Sequence, residues 1–279
     1  MSKIEILRRH VMRLYEQHLA AAMIPTSIRF LFYELVALKI IEKQASGVLR
    51  PGAVGQRRPD QDVIDAITDL RESGSIPWNA IVDETRSLDD YTGWPTVAEG
   101  LGAYLNVIEL DPWRGAAPLI LTESRSLAGV LRALMREYRV KIAPTNGQTN
   151  GFLRNDVAPK IRAATPVLYL GDWDFSGGHI EANTRRVLER TIGRDLVWER
   201  LALTQTQVDD PRLNLTVIDK YDRRTKTTHP SVETEALSQQ VIVRIVRDRL
   251  TARLPEPLAS VQEREEAERG RLRRLLRRG

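Results

Sequence analysis

The stretch that decides the fold is PVLYLGDWDFSGG, residues 166–178, in which an apolar run leads into two aspartates and two glycines. Pro166 to Leu170 is typical of a short buried strand, because such strands are continuously apolar and bounded by turn residues. Residues 179–192 then predict a helix. A strand that leads directly into a helix is the unit from which parallel sheets are built.

The segment before this stretch repeats the pattern. Residues 119–121 (Leu-Ile-Leu) predict a second strand and residues 140–142 (Val-Lys-Ile) a third, while the asparagine–glycine pairs at 146–147 and 150–151 predict turns. Between residues 119–121 and 140–142, helical spacing predicts a helix with the apolar residues Leu127, Val130, Leu131, Leu134 and Tyr138. We therefore predict a mixed α/β fold, with a Rossmann-like parallel sheet covered by helices over residues 117–255.

The N-terminal third shows helical periodicity instead of alternation. The third predicted helix ends at Gly74, and short strands are expected at residues 76–78 and 81–82. The predicted helices are residues 3–20, 28–36 and 63–70.

Three helices followed by a small strand element are typical of a winged-helix module. We predict a winged-helix-like domain over residues 1–90, joined to the sheet domain by a Gly- and Pro-containing junction over 91–116. A small helical packing domain without a nucleic-acid role is the alternative.

The 279 residues carry a formal net charge of +5 and no cysteine. A positive balance fits a polyanionic partner such as DNA, and the lack of cysteine, of a signal-peptide pattern and of a long apolar run fits a cytoplasmic protein. The tail, residues 256–279, predicts a solvated or frayed helix or, alternatively, an arm that contacts phosphates. The candidate nucleic-acid-binding residues are Arg57, Arg58, Arg273 and Arg274.

Carboxylates follow two of the predicted strands. Glu123 comes after the strand at 119–121, and Asp172 and Asp174 come after the strand at 166–170. Sites in parallel sheets form at the carboxyl ends of strands, and alternation lets Asp172 and Asp174 face the same way. Magnesium prefers such oxygen ligands, so a Mg²⁺ site is expected. The alternative is a turn in which the aspartates cap the next helix.

Arg29 and Tyr33 are four residues apart on the second predicted helix, so they lie on one flank of it. A guanidinium beside a phenol can lower the pKa of the phenol and can also hold a phosphate, which makes Tyr33 a candidate nucleophile. The alternative is a half-buried tyrosine beside a snorkelling arginine.

Taken together, these segments resemble the A-subunit family of type IIB topoisomerases, which includes the topoisomerase VI A subunit and the meiotic double-strand-break proteins. Residues 26–33 resemble the tyrosine motif, 119–123 and 171–177 resemble the two acidic motifs of a toprim domain, and 232–237 (VETEAL) resemble a later family segment. The sequence departs from the family at Phe30, Phe32 and Ser124.

The resemblance implies Mg²⁺-dependent cleavage of DNA by transesterification. Tyr33 would attack phosphorus with help from Arg29, and Glu123, Asp172 and Asp174 of the toprim domain would hold the metal ion. It also implies a homodimer in which the tyrosine and the metal site come from different subunits, and a separate ATPase B-type subunit, since the sequence has no P-loop motif of its own. The alternatives are a toprim nuclease that uses metal-activated water and a non-catalytic DNA-binding protein.

Overall fold

The structure is a computed structural model that describes residues 3–43, 59–82, 92–146, 150–162, 165–222 and 226–276. These residues form a mixed α/β fold with ten α-helices and six strands. The helices are α1 (Lys3–Ala20), α2 (Ile28–Ala37), α3 (Pro59–Glu72), α4 (Val97–Val107), α5 (Arg125–Tyr138), α6 (Asn150–Phe152), α7 (Phe175–Ile192), α8 (Gln205–Val208), α9 (Gln239–Arg253) and α10 (Leu258–Leu276). The strands are β1 (Leu119–Thr122), β2 (Lys141–Pro144), β3 (Val167–Leu170), β4 (Trp198–Ala202), β5 (Ile218–Asp222) and β6 (Thr227–Ser231).

The predicted parallel sheet is confirmed. Its strand order is β2-β1-β3-β4, and each neighbouring pair runs parallel. Every residue of β1 and β3 is buried, because alternate side chains enter two different cores. Ile120 and Leu168 pack towards α5 and α9, whereas Leu119 and Val167 pack towards α7. The carboxyl ends of β1 and β3, the two buried central strands, therefore meet at one edge of the sheet.

The β5–β6 hairpin and the chain that follows it lie at that edge of the sheet. The β5–β6 hairpin is antiparallel, and the chain leaving β6 forms an isolated antiparallel bridge between Val232 and Trp173. The 3₁₀ turn Thr234–Ala236 follows and contacts α2. The C-terminal part of the chain thus passes between the strand ends and the N-terminal helices.

Helices α1, α2 and α3 pack around their own core, as the periodicity predicted. The Ser27 hydroxyl caps α2 by accepting from the Phe30 N–H, and Gly74 takes a positive φ of 75° after α3. Phe30 turns away from this core and packs among the residues of the sheet core. The division into a winged-helix-like and a toprim domain stays a prediction.

The strands expected at residues 76–78 and 81–82 are wrong. Trp78–Ala80 is a 3₁₀ turn, and Ile81 makes only a single parallel bridge with Thr26. The chain turns here because the Ile76 N–H closes the end of α3 and the Arg71 guanidinium stacks 4.2 Å over the Trp78 ring.

Three boundaries also differ from the sequence prediction. The helix expected at 179–192 begins four residues earlier, at Phe175, because Asp174 caps it. The third strand covers 141–144, and residues 150–151 are helical rather than a turn. The predicted junction contains α4, whose apolar residues at 97, 101, 104 and 107 are exposed.

The tail is a helix with mostly exposed side chains, as predicted, but two buried residues dock it against the rest of the chain. Val261 is fully buried, and the Glu265 carboxylate accepts from the Leu110 N–H and from Arg139, each at 2.9 Å. The acidic half of the tail therefore fixes α10 to the body of the chain. In the described ranges, no helix is long and apolar enough to cross a membrane.

Removing Glu265 should detach α10, because the buried Arg139 guanidinium and the Leu110 N–H would both lose the carboxylate that they share. We expect Glu265→Ala to lower the free energy of unfolding by about 3–5 kcal/mol in urea titrations. Glu266→Ala is the matched control, since the Glu266 side chain is 64% exposed and pairs only with arginines at the surface. Equal losses in the two variants would contradict the docking role.

Candidate functional site

Glu123 lies directly after β1, where the chain leaves the sheet. Its backbone N–H donates to the Leu170 carbonyl at 2.9 Å, which keeps it level with the end of β3. Its carboxylate accepts a 3.1 Å hydrogen bond from the backbone N–H of Asp172. Burial raises the pKa of Glu123, and the nearby Asp174 carboxylate adds to the rise against that hydrogen bond.

Asp172 is fixed from the other side by the segment that follows β6. Its carboxylate accepts from the Thr234 N–H at 2.8 Å and from the Thr234 hydroxyl at 3.0 Å. Burial raises the pKa of Asp172 to about 7, and the carboxylates of Glu123 and Glu235 add to the rise. Glu123 and Asp172 are thus brought together as a pair of carboxylates in which ionisation of one opposes ionisation of the other.

Asp174 takes the capping role that was the alternative prediction. Its side chain accepts from the Gly177 N–H at the start of α7, pairs with Lys220 at 2.7 Å and accepts from the Ser231 hydroxyl at 3.2 Å. Burial favours protonation, but the hydrogen bonds from Lys220 and Gly177 outweigh it and lower the pKa of Asp174. Asp174 is therefore an ionised carboxylate already held by protein donors.

The residue between the two aspartates faces the other way, as strand alternation predicts. The Trp173 side chain packs against the sheet core, and its backbone N–H and carbonyl pair with Val232, each at 2.9 Å. This bridge holds residues 232–235 beside the acidic pair.

A common metal site for Glu123, Asp172 and Asp174 stays a prediction. No group of three or more His, Asp or Glu side chains in the described part of the chain is arranged to hold a metal ion. Glu123 and Asp172 fit a hard cation by their chemistry, because both are oxygen donors whose charges burial and mutual repulsion disfavour. Asp174 does not join them while it caps α7 and pairs with Lys220.

Tyr33 and Arg29 meet a carboxylate that the sequence prediction did not include. The Tyr33 hydroxyl donates to Glu233, and Arg29 donates to the same Glu233 oxygen at 2.6 Å. Lys43 donates to both the Tyr33 hydroxyl and the second Glu233 oxygen, each at 2.8 Å. Tyr33 itself is only 8% exposed. The phenol is therefore enclosed by one carboxylate and two cations.

Arg29 lowers the pKa of Tyr33, as predicted, but the net shift is upward. Burial raises the pKa of Tyr33, the Glu233 carboxylate raises it further, and the opposing charge of Arg29 is too small to reverse them. Glu233 itself is held ionised, because Lys43 and Tyr33 lower its pKa against the effect of burial.

Glu235 links the tyrosine side to the strand-end side. It is 1% exposed, and one of its oxygens accepts from the hydroxyls of Ser124 and Ser126 at 2.6 and 2.9 Å. The same oxygen lies 3.1 Å from Nε of Arg29. Its other oxygen is buried, and no donor from the described residues reaches it. Ser124, one of the positions at which the sequence departs from the family pattern, thus has a hydrogen-bond partner in Glu235.

These contacts connect the tyrosine to the carboxylates of its own chain. Tyr33 binds Glu233, the next residue Thr234 binds Asp172, and Asp172 binds Glu123. Residues 232–235 therefore provide a direct route within one chain from Tyr33 to the carboxylates at the strand ends. Whether two chains exchange these groups stays a prediction.

Arg200, on β4, supports the loop that carries Asp172. Its guanidinium donates to the carbonyls of Asp172 at 2.6 Å, Gly171 at 2.9 Å and Leu203 at 2.6 Å, and it pairs with Glu181. One side chain thus fixes the backbone on either side of the turn at the end of β3.

Of the predicted DNA-binding arginines, Arg273 and Arg274 belong to α10. Arg273 lies in the last turns of α10, where it pairs with Glu266 at 3.2 Å and donates to Asn106 at 2.6 Å, and Arg274 is its neighbour. Arg57 and Arg58 lie outside the described residues. Their role in binding nucleic acid stays a prediction.

No family model matches the chain, and no curated protein or solved structure matches it either. Function must therefore be inferred from the site itself.

Sequence reasoning missed five charged residues at the site: Lys43, Arg200, Lys220, Glu233 and Glu235. A signal for Glu233 was present, because VETEAL places carboxylates at positions i and i+2 just as the acidic pair at 172 and 174 does. Lys43, Arg200 and Lys220 lie far from the motifs in sequence, and only the folded chain brings them close.

The first turn of α7 should tolerate one glycine replacement and not its neighbour. A Cβ on Gly177 would lie 2.4 Å from the Asp172 carbonyl oxygen, whereas a Cβ on Gly178 meets nothing within 4 Å. We expect Gly177→Ala to lower the free energy of unfolding by about 1–3 kcal/mol. Gly178→Ala should raise it by about 0.5–1 kcal/mol, because alanine is the better helix residue. Thermal unfolding tests both, and a harmless Gly177→Ala would refute the close approach.

Proposed function

We propose that this chain cleaves DNA in a Mg²⁺-dependent transesterification, with Tyr33 as the nucleophile, in the manner of the A subunit of topoisomerase VI. The single observation that carries the proposal is the connected path from the Tyr33 hydroxyl through Glu233 and Thr234 to Asp172 and Glu123. Packing alone does not require a tyrosine, three carboxylates and two cations to converge at the ends of parallel strands, where sites in such sheets form.

Glu123 and Asp172 are the residues that would hold Mg²⁺, an ion that commonly takes one or two carboxylates together with phosphate oxygens. Bound there, Mg²⁺ would offset the charge that develops on a phosphate under attack. Asp174 would contribute only if Lys220 released it. Lys220 is 40% exposed and would then be available to a phosphate.

Arg29 is placed to bind the DNA backbone. Its side chain is 45% exposed and lies between the carboxylates of Glu233 and Glu235, on the same flank of α2 as Tyr33. A guanidinium in that position can donate to phosphate oxygens while its other donors stay on the carboxylates. The scissile phosphate would then lie between Tyr33 and the strand ends.

A nuclease that uses metal-activated water is the second candidate, and one observation favours it. The Tyr33 hydroxyl is buried and engaged by Glu233 and Lys43, so it must be uncovered before it can attack DNA. Water needs no such rearrangement. A DNA-binding protein without catalysis is the third candidate.

The wider features implied by the family resemblance belong to the same proposal. They are a winged-helix-like domain that carries Tyr33, a toprim domain that carries the acidic residues, DNA as substrate, a homodimer, a separate ATPase subunit and a cytoplasmic location. Arg57, Arg58, Arg273 and Arg274 would add DNA contacts outside the site.

Tyr33→Phe separates the candidates, because it keeps the ring and removes only the attacking oxygen. With supercoiled DNA and Mg²⁺, followed by denaturation with and without protease, we expect the variant to form no covalent protein–DNA complex and to bind DNA normally. Tyr15→Phe is the matched control, a second tyrosine buried in the same helical core. It should cleave like the wild-type protein.

Other results of this experiment would overturn the proposal in distinct ways. Cleavage by Tyr33→Phe at the wild-type rate would make water the nucleophile. If the wild-type protein showed no metal-dependent cleavage, only the non-catalytic candidate would remain.

A further inference from the structure

We infer that Glu233 is the catalytic base that removes the proton from Tyr33. The inference rests on the proposed function and assigns a role to a residue outside the metal site. Glu233 touches the reacting oxygen, because the Tyr33 hydroxyl donates directly to it. Glu233 is the carboxylate that accepts this hydrogen bond within the described residues.

Tyr33 needs such a base. A phenol has a pKa near 10 in water, and burial followed by the Glu233 charge raises the pKa of Tyr33 further. At neutral pH the hydroxyl therefore keeps its proton, and attack on phosphorus requires that the proton leave as the new bond forms.

Glu233 is suited to receive the proton. Lys43 and the Tyr33 hydroxyl hold its pKa below its usual range against the effect of burial, so it is ionised before the reaction. Its side chain is 22% exposed, which gives the acquired proton a route to solvent. Lys43 bonds to both partners and keeps the donor and the acceptor aligned.

The nearby carboxylates have other contacts. The bonded oxygen of Glu235 faces Ser124, Ser126 and Arg29, and the Asp172 carboxylate faces Thr234. Removing Glu235 would disturb the turn at Ser124, and removing Asp172 would disturb the end of β3. Glu233, in contrast, contacts Tyr33 itself.

The proton and bond changes balance without a further reagent. The O–H bond of Tyr33 breaks as its proton passes to Glu233, and the phenol oxygen bonds to phosphorus. The bond from phosphorus to the 3′ oxygen of DNA breaks, and that oxygen takes a proton from water. Glu233 then returns its proton to solvent. Resealing would use the same groups in reverse, with protonated Glu233 as the acid.

Glu233→Gln tests the inference, because the amide keeps the shape and an accepting oxygen but cannot take the proton at neutral pH. We expect covalent complex formation on supercoiled DNA with Mg²⁺ to slow by about 10²–10⁴-fold. The residual rate should rise with pH, while the wild-type rate should be level across neutral pH. Glu137→Gln is the matched control, since Glu137 is a surface carboxylate paired with Arg247. It should leave the rate unchanged.

A more acidic nucleophile should rescue the variant. A fluorinated tyrosine at position 33 should raise the rate of Glu233→Gln and change the wild-type rate little. If Glu233 only positioned Tyr33, the fluorinated residue would give no selective rescue and both pH profiles would have the same shape. Either of those results would overturn the inference.

A measurement without DNA covers the case in which Glu233→Gln is inactive through poor folding. Removing the Glu233 charge should lower the pKa of Tyr33. That pKa is read from phenolate absorbance, by subtracting the titration of a protein that carries Tyr33→Phe from the titration of the matched protein that keeps Tyr33. An unchanged pKa would show that the two groups do not interact and would overturn the inference. The role of Glu233 presupposes that Tyr33 is the nucleophile. Glu233→Gln should therefore lose activity only if Tyr33→Phe is inactive as well. If Tyr33→Phe cleaves normally, the proposed function fails first and by itself.

Discussion

The backbone bridge between Trp173 and Val232 is the contact on which the whole site depends. It is a pair of 2.9 Å hydrogen bonds between the loop after β3 and the chain leaving β6, and these segments are about sixty residues apart in sequence. Because of it, Thr234 reaches Asp172, Glu235 reaches Ser124, and Glu233 reaches the tyrosine on α2. Without this bridge the sheet would still form, but the acidic strand ends and the N-terminal helices would share no polar contacts through that segment.

The site holds more negative charge than its protein partners neutralise. Asp174 and Glu233 each face a lysine and stay ionised, whereas burial, helped by nearby carboxylates, raises the pKa of Glu123 and Asp172. Ionising the last two together costs free energy that a bound cation would offset. Residues 232–235 therefore present the ionised Glu233 carboxylate to Tyr33. Through Thr234 they also contact Asp172, which forms with Glu123 a pair of carboxylates suited to a metal ion.

Much of the fold could be predicted from the sequence, since apolar periodicity is a local signal. It located the strands that end near Glu123 and Asp172, and their alternation with helices predicted that they run parallel. The strand expected at residues 76–78 failed because Arg71 stacks on Trp78 and the Ile76 N–H closes α3, contacts that no pattern of apolar residues contains. The site was predicted in part for the same reason. Alternation placed Asp172 and Asp174 near each other, but the pairing of Asp174 with Lys220 and the contact of Glu233 with Tyr33 arise only in the folded chain.

The account is tested most directly by the anomalous signal of manganese in crystals of the full chain, with Mn²⁺ standing in for Mg²⁺. It predicts one ion bonded to carboxylate oxygens of Glu123 and Asp172 at about 2.1 Å, on the side that faces Glu235 and Arg29. The hydrogen bond from Tyr33 to Glu233 of the same chain should persist beside it. Saturating Mn²⁺ that binds only elsewhere, with Glu123 still bonded to the Asp172 N–H and no ion between the two carboxylates, would contradict the account.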